Sequence, residues 1–185
     1  MDSHLTLVAS VVIGGIFLLS ILGFQADLRD HSFTNTNDLI VQQNAIALTE
    51  LLESDFRQIG LGADSLVVIA IGVNSISFYA DLDANGTLDL VAYSLSSLSA
   101  AAETPNPRDR ILYRSVNGTT QVNAAIGVTD FRLKYFDANG SQTNNVAKIK
   151  TIEMTLEMES TLPYDGQYAH FFWRKKITPP NLLRS

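Results

Sequence analysis

The sequence predicts an α+β protein: a long N-terminal α-helix, hydrophobic and then amphipathic, packed on an antiparallel β-sheet domain. Three observations predict it. Residues 5–24 carry no charge. Residues 38–60 repeat apolar side chains at spacings of three and four. From residue 63 to 185, short apolar runs alternate with turns rich in Asn, Asp and Gly, and no helical period returns. The 185 residues suit one domain plus an appendage, since domains usually run about 100–150 residues.

The first element is the stretch from Leu5 to Phe24, LTLVASVVIGGIFLLSILGF. As a helix rising ~1.5 Å per residue it matches the ~30 Å hydrocarbon core of a bilayer. A cleaved signal peptide calls for a basic start and an apolar run of about 7–15 residues. The chain instead opens Met1-Asp2-Ser3-His4, with no Lys or Arg, and its apolar run is longer. A helix apolar on every side also fits poorly on the surface of a soluble domain. The expectation is an anchor inserted in a membrane or buried in a bundle of helices. Arg29 is the one basic residue near either flank, so charge does not set its orientation. Within it Leu5, Leu7, Ala9, Val12, Gly14, Gly15, Phe17 and Leu18 are the expected assembly positions. The glycine pair would let neighbouring helices approach closely.

The second element places Val41, Ala45, Leu48, Leu52, Phe56 and Ile59 on one face of a helix. That face is expected to lie on the sheet. Gly60-Leu61-Gly62 supplies the stop. Between the two halves, residues 32–37 crowd Ser, Thr and Asn, which favour caps over helix interiors. The expected division is a helical segment over 1–62, with its anchor at 5–24 and its amphipathic half at 38–60, and a β domain over 63–185.

The β domain opens with Ser75 to Ala80 and Leu88 to Ser94, flanking the turn Asp81-Leu-Asp-Ala-Asn-Gly-Thr87. Asn117-Gly118 and Asn139-Gly140 mark two more turns, since both residue types tolerate φ > 0. From Val146 to Glu159, Ile152, Met154, Leu156 and Met158 alternate with polar residues, as a half-buried strand does. Ile149 falls out of phase, which predicts a bulge or bend near Lys150. The last strand spans about His170 to Ile177, and its Arg174-Lys175-Lys176 run reads as a solvated sheet face.

Composition excludes several function classes. The absence of cysteine rules out disulfides, thiolate metal sites and Cys nucleophiles. A formal net charge of −6 argues against nucleic acid as the primary partner. His4, His31 and His170 have no ligand spacing. No Ser–His–Asp order or phosphate-binding glycine loop stands out, so no enzyme is expected. Asp81, Asp83, Asn85 and Asp89 match the front of a D-x-D-x-N-G calcium loop. Hard oxygen ligands at alternate positions suit Ca²⁺. The bidentate Glu that such a loop wants at its twelfth position is here Ala92. A polar hairpin tip needs the same residues and is the competing reading.

Taken in order, several short phrases resemble type IV pilins and type II secretion pseudopilins, the minor pilins above all. Leu5-Thr6-Leu7-Val8 is similar to the F-T-L-I core of their N-terminal signature. Asp55-Phe-Arg-Gln-Ile-Gly60 resembles their D-x-R-x-A-G helix end. The hairpin from Ile76 to Tyr93, the Leu112-Tyr113-Arg114 strand with Asn117-Gly118, and the Ile177-Thr178-Pro179-Pro180-Asn181-Leu182 ending resemble theirs. The glycine at the family's cleavage point corresponds to His4, and its N-terminal glutamate to Ala9. The resemblance implies a structural subunit of an extracellular filament or pseudopilus. It implies other pilin-like subunits as partners, held first in the inner membrane beside an assembly platform. A membrane-tethered, calcium-dependent extracytoplasmic binding module that does not polymerise is the alternative.

Overall fold

A computed structural model describes the chain apart from residues 1, 65–66, 122–126, 164 and 184–185. The side chains of residues 2–6, 26–27, 29–31, 33–35, 37 and 121 also lie outside the description. The protein is α+β, with a helical N-terminal region followed by antiparallel sheets. Two compact units divide between Asn37 and Asp38. Helical backbone, α1 (Asp2–Gln58), contributes to both. The border falls beside the Ser, Thr and Asn crowd of residues 32–37, where the sequence left open one rod or two helices with a joint. Those polar residues are nonetheless helical, and the Thr36 hydroxyl donates back to the Ser32 carbonyl at 2.8 Å.

In the second unit the amphipathic part of α1 packs as its sequence pattern requires. Val41, Ala45, Leu48, Leu52 and Phe56, with Ile59 just past the helix end, are all buried in the main core. The helix stops because Gly60 takes φ 78°, a left-handed conformation natural to glycine. A Cβ there would lie 2.8 Å from the Val67 side chain, so space as well as φ selects glycine. Asn181, in the short 3₁₀ turn Pro180–Leu183, donates to the Ile59 carbonyl at 3.3 Å and ties the chain end to this stop.

Among the described residues eight strands follow: β1 (Val68–Ile71), β2 (Ser75–Ala80), β3 (Asp89–Leu95), β4 (Leu112–Val116), β5 (Thr119–Gln121), β6 (Val128–Phe136), β7 (Thr151–Glu159) and β8 (His170–Ile177). They form two antiparallel meanders, β1 to β5 and β6 to β8, rather than one sheet. The β1–β2 turn stitches the two. The Leu133 N–H donates to the Val73 carbonyl at 2.7 Å, Asn74 Nδ2 to the Phe131 carbonyl at 2.6 Å, and the Tyr135 hydroxyl to the Gly72 carbonyl at 2.9 Å. Both sheets supply residues to the core that covers the helix face, among them Phe78 and Tyr93 from one and Phe131, Met154 and Leu156 from the other.

Two expectations about the strands are corrected. Strand β1 has no counterpart in the sequence reading, because a four-residue apolar run carries no period. The run from Val146 is not a single strand bent at Lys150. Residues Val146–Lys148 form a 3₁₀ turn, and β7 begins at Thr151. Asn145 starts that turn, its side-chain oxygen accepting from the Ala147 N–H. Ile149 is out of strand phase because it leaves the turn into the core.

Candidate assembly helix and acidic loop

In the first unit, residues Leu7–Gln25 form a helix of mean hydropathy 2.5 of which 0% is buried. It is long and apolar enough to cross a membrane by length and composition. Leu7, Ala9, Val12, Gly14, Gly15, Phe17 and Leu18 are all exposed, so no side of the helix finds a partner within the described chain. The side chain of Leu5 lies outside the described residues. A Cβ added at Gly14 or Gly15 meets nothing within 4 Å. Neither glycine is therefore required by packing inside the described chain. The Ser20 hydroxyl donates to the Ile16 carbonyl at 3.0 Å and so hides its polarity in the helix backbone.

The acidic loop joins β2 to β3. Ligand oxygens of Asp81, Asp83 and Asp89 converge within 4.8 Å of one another. Asp81 is buried and organises the turn: its two oxygens accept the N–H groups of Asn85 at 3.0 Å and Gly86 at 2.9 Å. Asp89 accepts the Leu82 N–H at 3.2 Å and the Asn117 amide at 2.7 Å. Asn85 sits in the same turn, its backbone N–H already bound to Asp81. Its amide nitrogen donates to Asp83 at 2.8 Å, and its oxygen accepts the Thr87 N–H at 2.7 Å. Ala92, the twelfth position, lies within β3.

The donor set thus fits a hard cation in part. Three carboxylates face one point, and each oxygen keeps a lone pair beyond its N–H contact. The same contacts close the hairpin without an ion. Thermal melting in calcium and in chelator separates the two roles. A calcium-dependent gain that Asp83→Ala removes marks a bound ion, and identical curves mark a hairpin clasp.

Sequence reasoning missed the polar cluster that fixes helix to sheet. Asp55, on α1, is 3% exposed and accepts from Arg114 Nε at 2.7 Å and Nη2 at 3.2 Å. The Tyr93 hydroxyl donates to the same carboxylate at 2.5 Å. Burial, then the Asp55 charge, pushes the Tyr93 pKa far up, so it stays a donor. The bonds to Asp55 hold Arg114 still more firmly charged. One signal was available: Asp55 lies three residues after Leu52, beside the core stripe. Asn117 was read as a turn residue. With φ 52°, it also accepts the Leu90 N–H at 2.9 Å and so braces the acidic loop.

Comparison with known proteins makes no assignment: no family model matches the chain, and neither a curated protein nor a solved structure does.

Proposed function

We propose that this chain is a non-enzymatic structural subunit of a pilin-like filament or pseudopilus, assembling through its N-terminal apolar helix. The observation that carries the reading is the unburied Leu7–Gln25 helix preceding a unit whose core, from Val41 to Leu182, is built without it. Exposed apolar surface of that size must be covered by lipid or by other helices. A filament subunit uses both in turn, with lipid before assembly and neighbouring subunits after it. In this reading the apolar and amphipathic parts of α1 act as one long pilin-like helix, with the β domain on the extracytoplasmic side. The inner membrane and an assembly platform are the first partners.

Apolar packing is then the main cohesive force. Ala9 offers no carboxylate for a neighbour's amino terminus. Fully burying a large aliphatic side chain contributes about 1.5–3 kcal/mol relative to water, and less relative to lipid. The chain has no cysteine, so single introduced ones report contacts cleanly. Val12→Cys and Phe17→Cys are expected to give subunit-to-subunit cross-links in native membranes and in purified assemblies. Gly14→Leu is expected to cut assembly yield more than Asp2→Ala does, while the β domain stays folded by circular dichroism. Normal assembly of Gly14→Leu, or purely monomeric Cys variants, would sink the reading.

The convergent carboxylates of Asp81, Asp83 and Asp89 favour the second reading, a tethered calcium-dependent binding module. Calcium-dependent melting together with absent cross-links selects it.

A further inference from the structure

The loop between β3 and β4 carries a buried acid, Asp109. Asp109 is 2% exposed, and among the described residues neither of its carboxylate oxygens has a hydrogen-bond partner of good geometry. An orphaned buried acceptor is rare in folded proteins, because desolvation without a new bond is costly. The rest of the cluster is fully engaged. Asn106 Nδ2 donates to Glu159 at 3.0 Å and to the Ser160 carbonyl at 3.2 Å. Arg108 pairs with Glu159 at 2.9 Å. Thr104 stands close, but its hydroxyl donates to the Ala101 and Asn106 carbonyls at 2.8 and 3.2 Å. Arg110 donates to the Ser96 carbonyl at 3.3 Å. Of these, only the Thr104 hydroxyl comes near enough to Asp109 to favour its charged form, and its proton is directed to those two carbonyls.

Asp109 lines a cavity of about 410 Å³, whose walls include Ala100, Ala101, Ala102, Ile111 and Gly127. Glu103 and Arg110 are the other charged groups on it, and Glu159 faces Asp109 from the end of β7. We propose that this cavity is a binding site for a primary ammonium on an aliphatic stem, with Asp109 as its counter-ion. The chemistry selects that class over a metal ion. Calcium wants six to eight oxygens, more than the Asp109 and Glu103 carboxylates and the Ser99 and Thr104 hydroxyls on these walls supply, and the Arg110 guanidinium beside them disfavours a second cation of double charge. An ammonium brings three donors to two free oxygens, and its methylene stem suits an apolar wall. A lysine side chain of another protein and a small free amine share this chemistry. The inference stands independently of the filament reading.

Burial pushes the Asp109 pKa above the usual carboxylate range; Thr104 opposes this, and Glu159 adds to it. The free site is therefore protonated to higher pH than an exposed aspartate. Ammonium binding should tighten as pH rises through that raised pKa and weaken again near ~10, where an amine loses its proton. Without ligand, the folded state holds this proton more strongly than the unfolded chain. The stability Asp109 allows is thus full at low pH and declines as pH rises through the folded pKa.

The test is thermal melting of the full chain in detergent at pH 8. The probes are n-butylammonium and Nα-acetyl-lysine methylamide, against n-butanol, sodium chloride and calcium chloride. A saturable rise of about 2–4 °C with an ammonium probe is expected. It should be absent with n-butanol and sodium chloride, and lost in the isosteric Asp109→Asn. Ala100→Phe, which narrows the cavity but keeps the acid, should weaken the response as well. A larger response to the lysine derivative identifies a protein lysine as the ligand, and a larger one to butylammonium a free amine. An equal response in Asp109→Asn, no response to either probe, or an Asp109-dependent rise with calcium instead would overturn the proposal.

Discussion

Replacing Arg114 by alanine is expected to cost about 3–5 kcal/mol of stability, the range for stripping a buried carboxylate of its cation. Asp55 would keep the Tyr93 hydroxyl at 2.5 Å and lose both guanidinium bonds. The Asp55 and Arg114 side chains are 5% and 11% exposed, so water cannot easily replace what is lost. Arg114→Lys should cost less but still be measurable, since an ammonium keeps the charge and loses the two-pronged geometry. Removing both charges together, as Asp55→Leu with Arg114→Met, should cost far less than Arg114→Ala alone. Urea unfolding followed by the single tryptophan, Trp173 on β8 beside the core, measures each variant. A loss below about 1 kcal/mol, the level of a surface pair, would show that Asp55 is solvated.

Phe56→Ala is expected to cost a similar amount, about 3–5 kcal/mol, by leaving a cavity where helix meets sheet. Phe56 is 0% exposed, and its ring lies 5.9 Å from that of Phe78 in an edge-to-face contact and 5.8 Å from that of Tyr93. Phe56→Leu should recover most of the loss, because volume outweighs ring geometry, itself worth about 0.5–1.5 kcal/mol. Equal losses in the two variants would reverse that ranking. The two sites share Tyr93, so the double variant Phe56→Ala/Arg114→Ala should depart from additivity. The same unfolding assay reads that coupling.

Much of the fold was legible because two periods are written plainly. The stripe Val41, Ala45, Leu48, Leu52, Phe56 and Ile59 has helical spacing, and all six are buried. The alternation Ile152, Met154, Leu156 and Met158 has strand spacing, and all four are buried. Strands β2 and β8 have the expected ends, since turn residues bound them. The acidic loop was legible for the same reason: Asp, Asn and Gly at fixed offsets dictate local backbone bonds.

What stayed hidden depends on residues distant in the chain. Asp55, Tyr93 and Arg114 are separated by 38 and then 21 positions, and each alone reads as an ordinary surface or strand residue. The division into two sheets follows from the β1–β2 turn meeting β6, a contact 57 positions long at Asn74 and Phe131. The orphan carboxylate of Asp109 exists because its loop folds against the end of β7 and the neighbouring donors choose other acceptors. The sequence by itself determined the helix, its buried face, the β content and the uncharged N-terminal stretch, because those rest on local period and composition. Tertiary structure alone decided which polar groups were carried inside and which of them found partners. Burial, and with it the energy of a charge, depends on what the rest of the chain brings within a few ångströms.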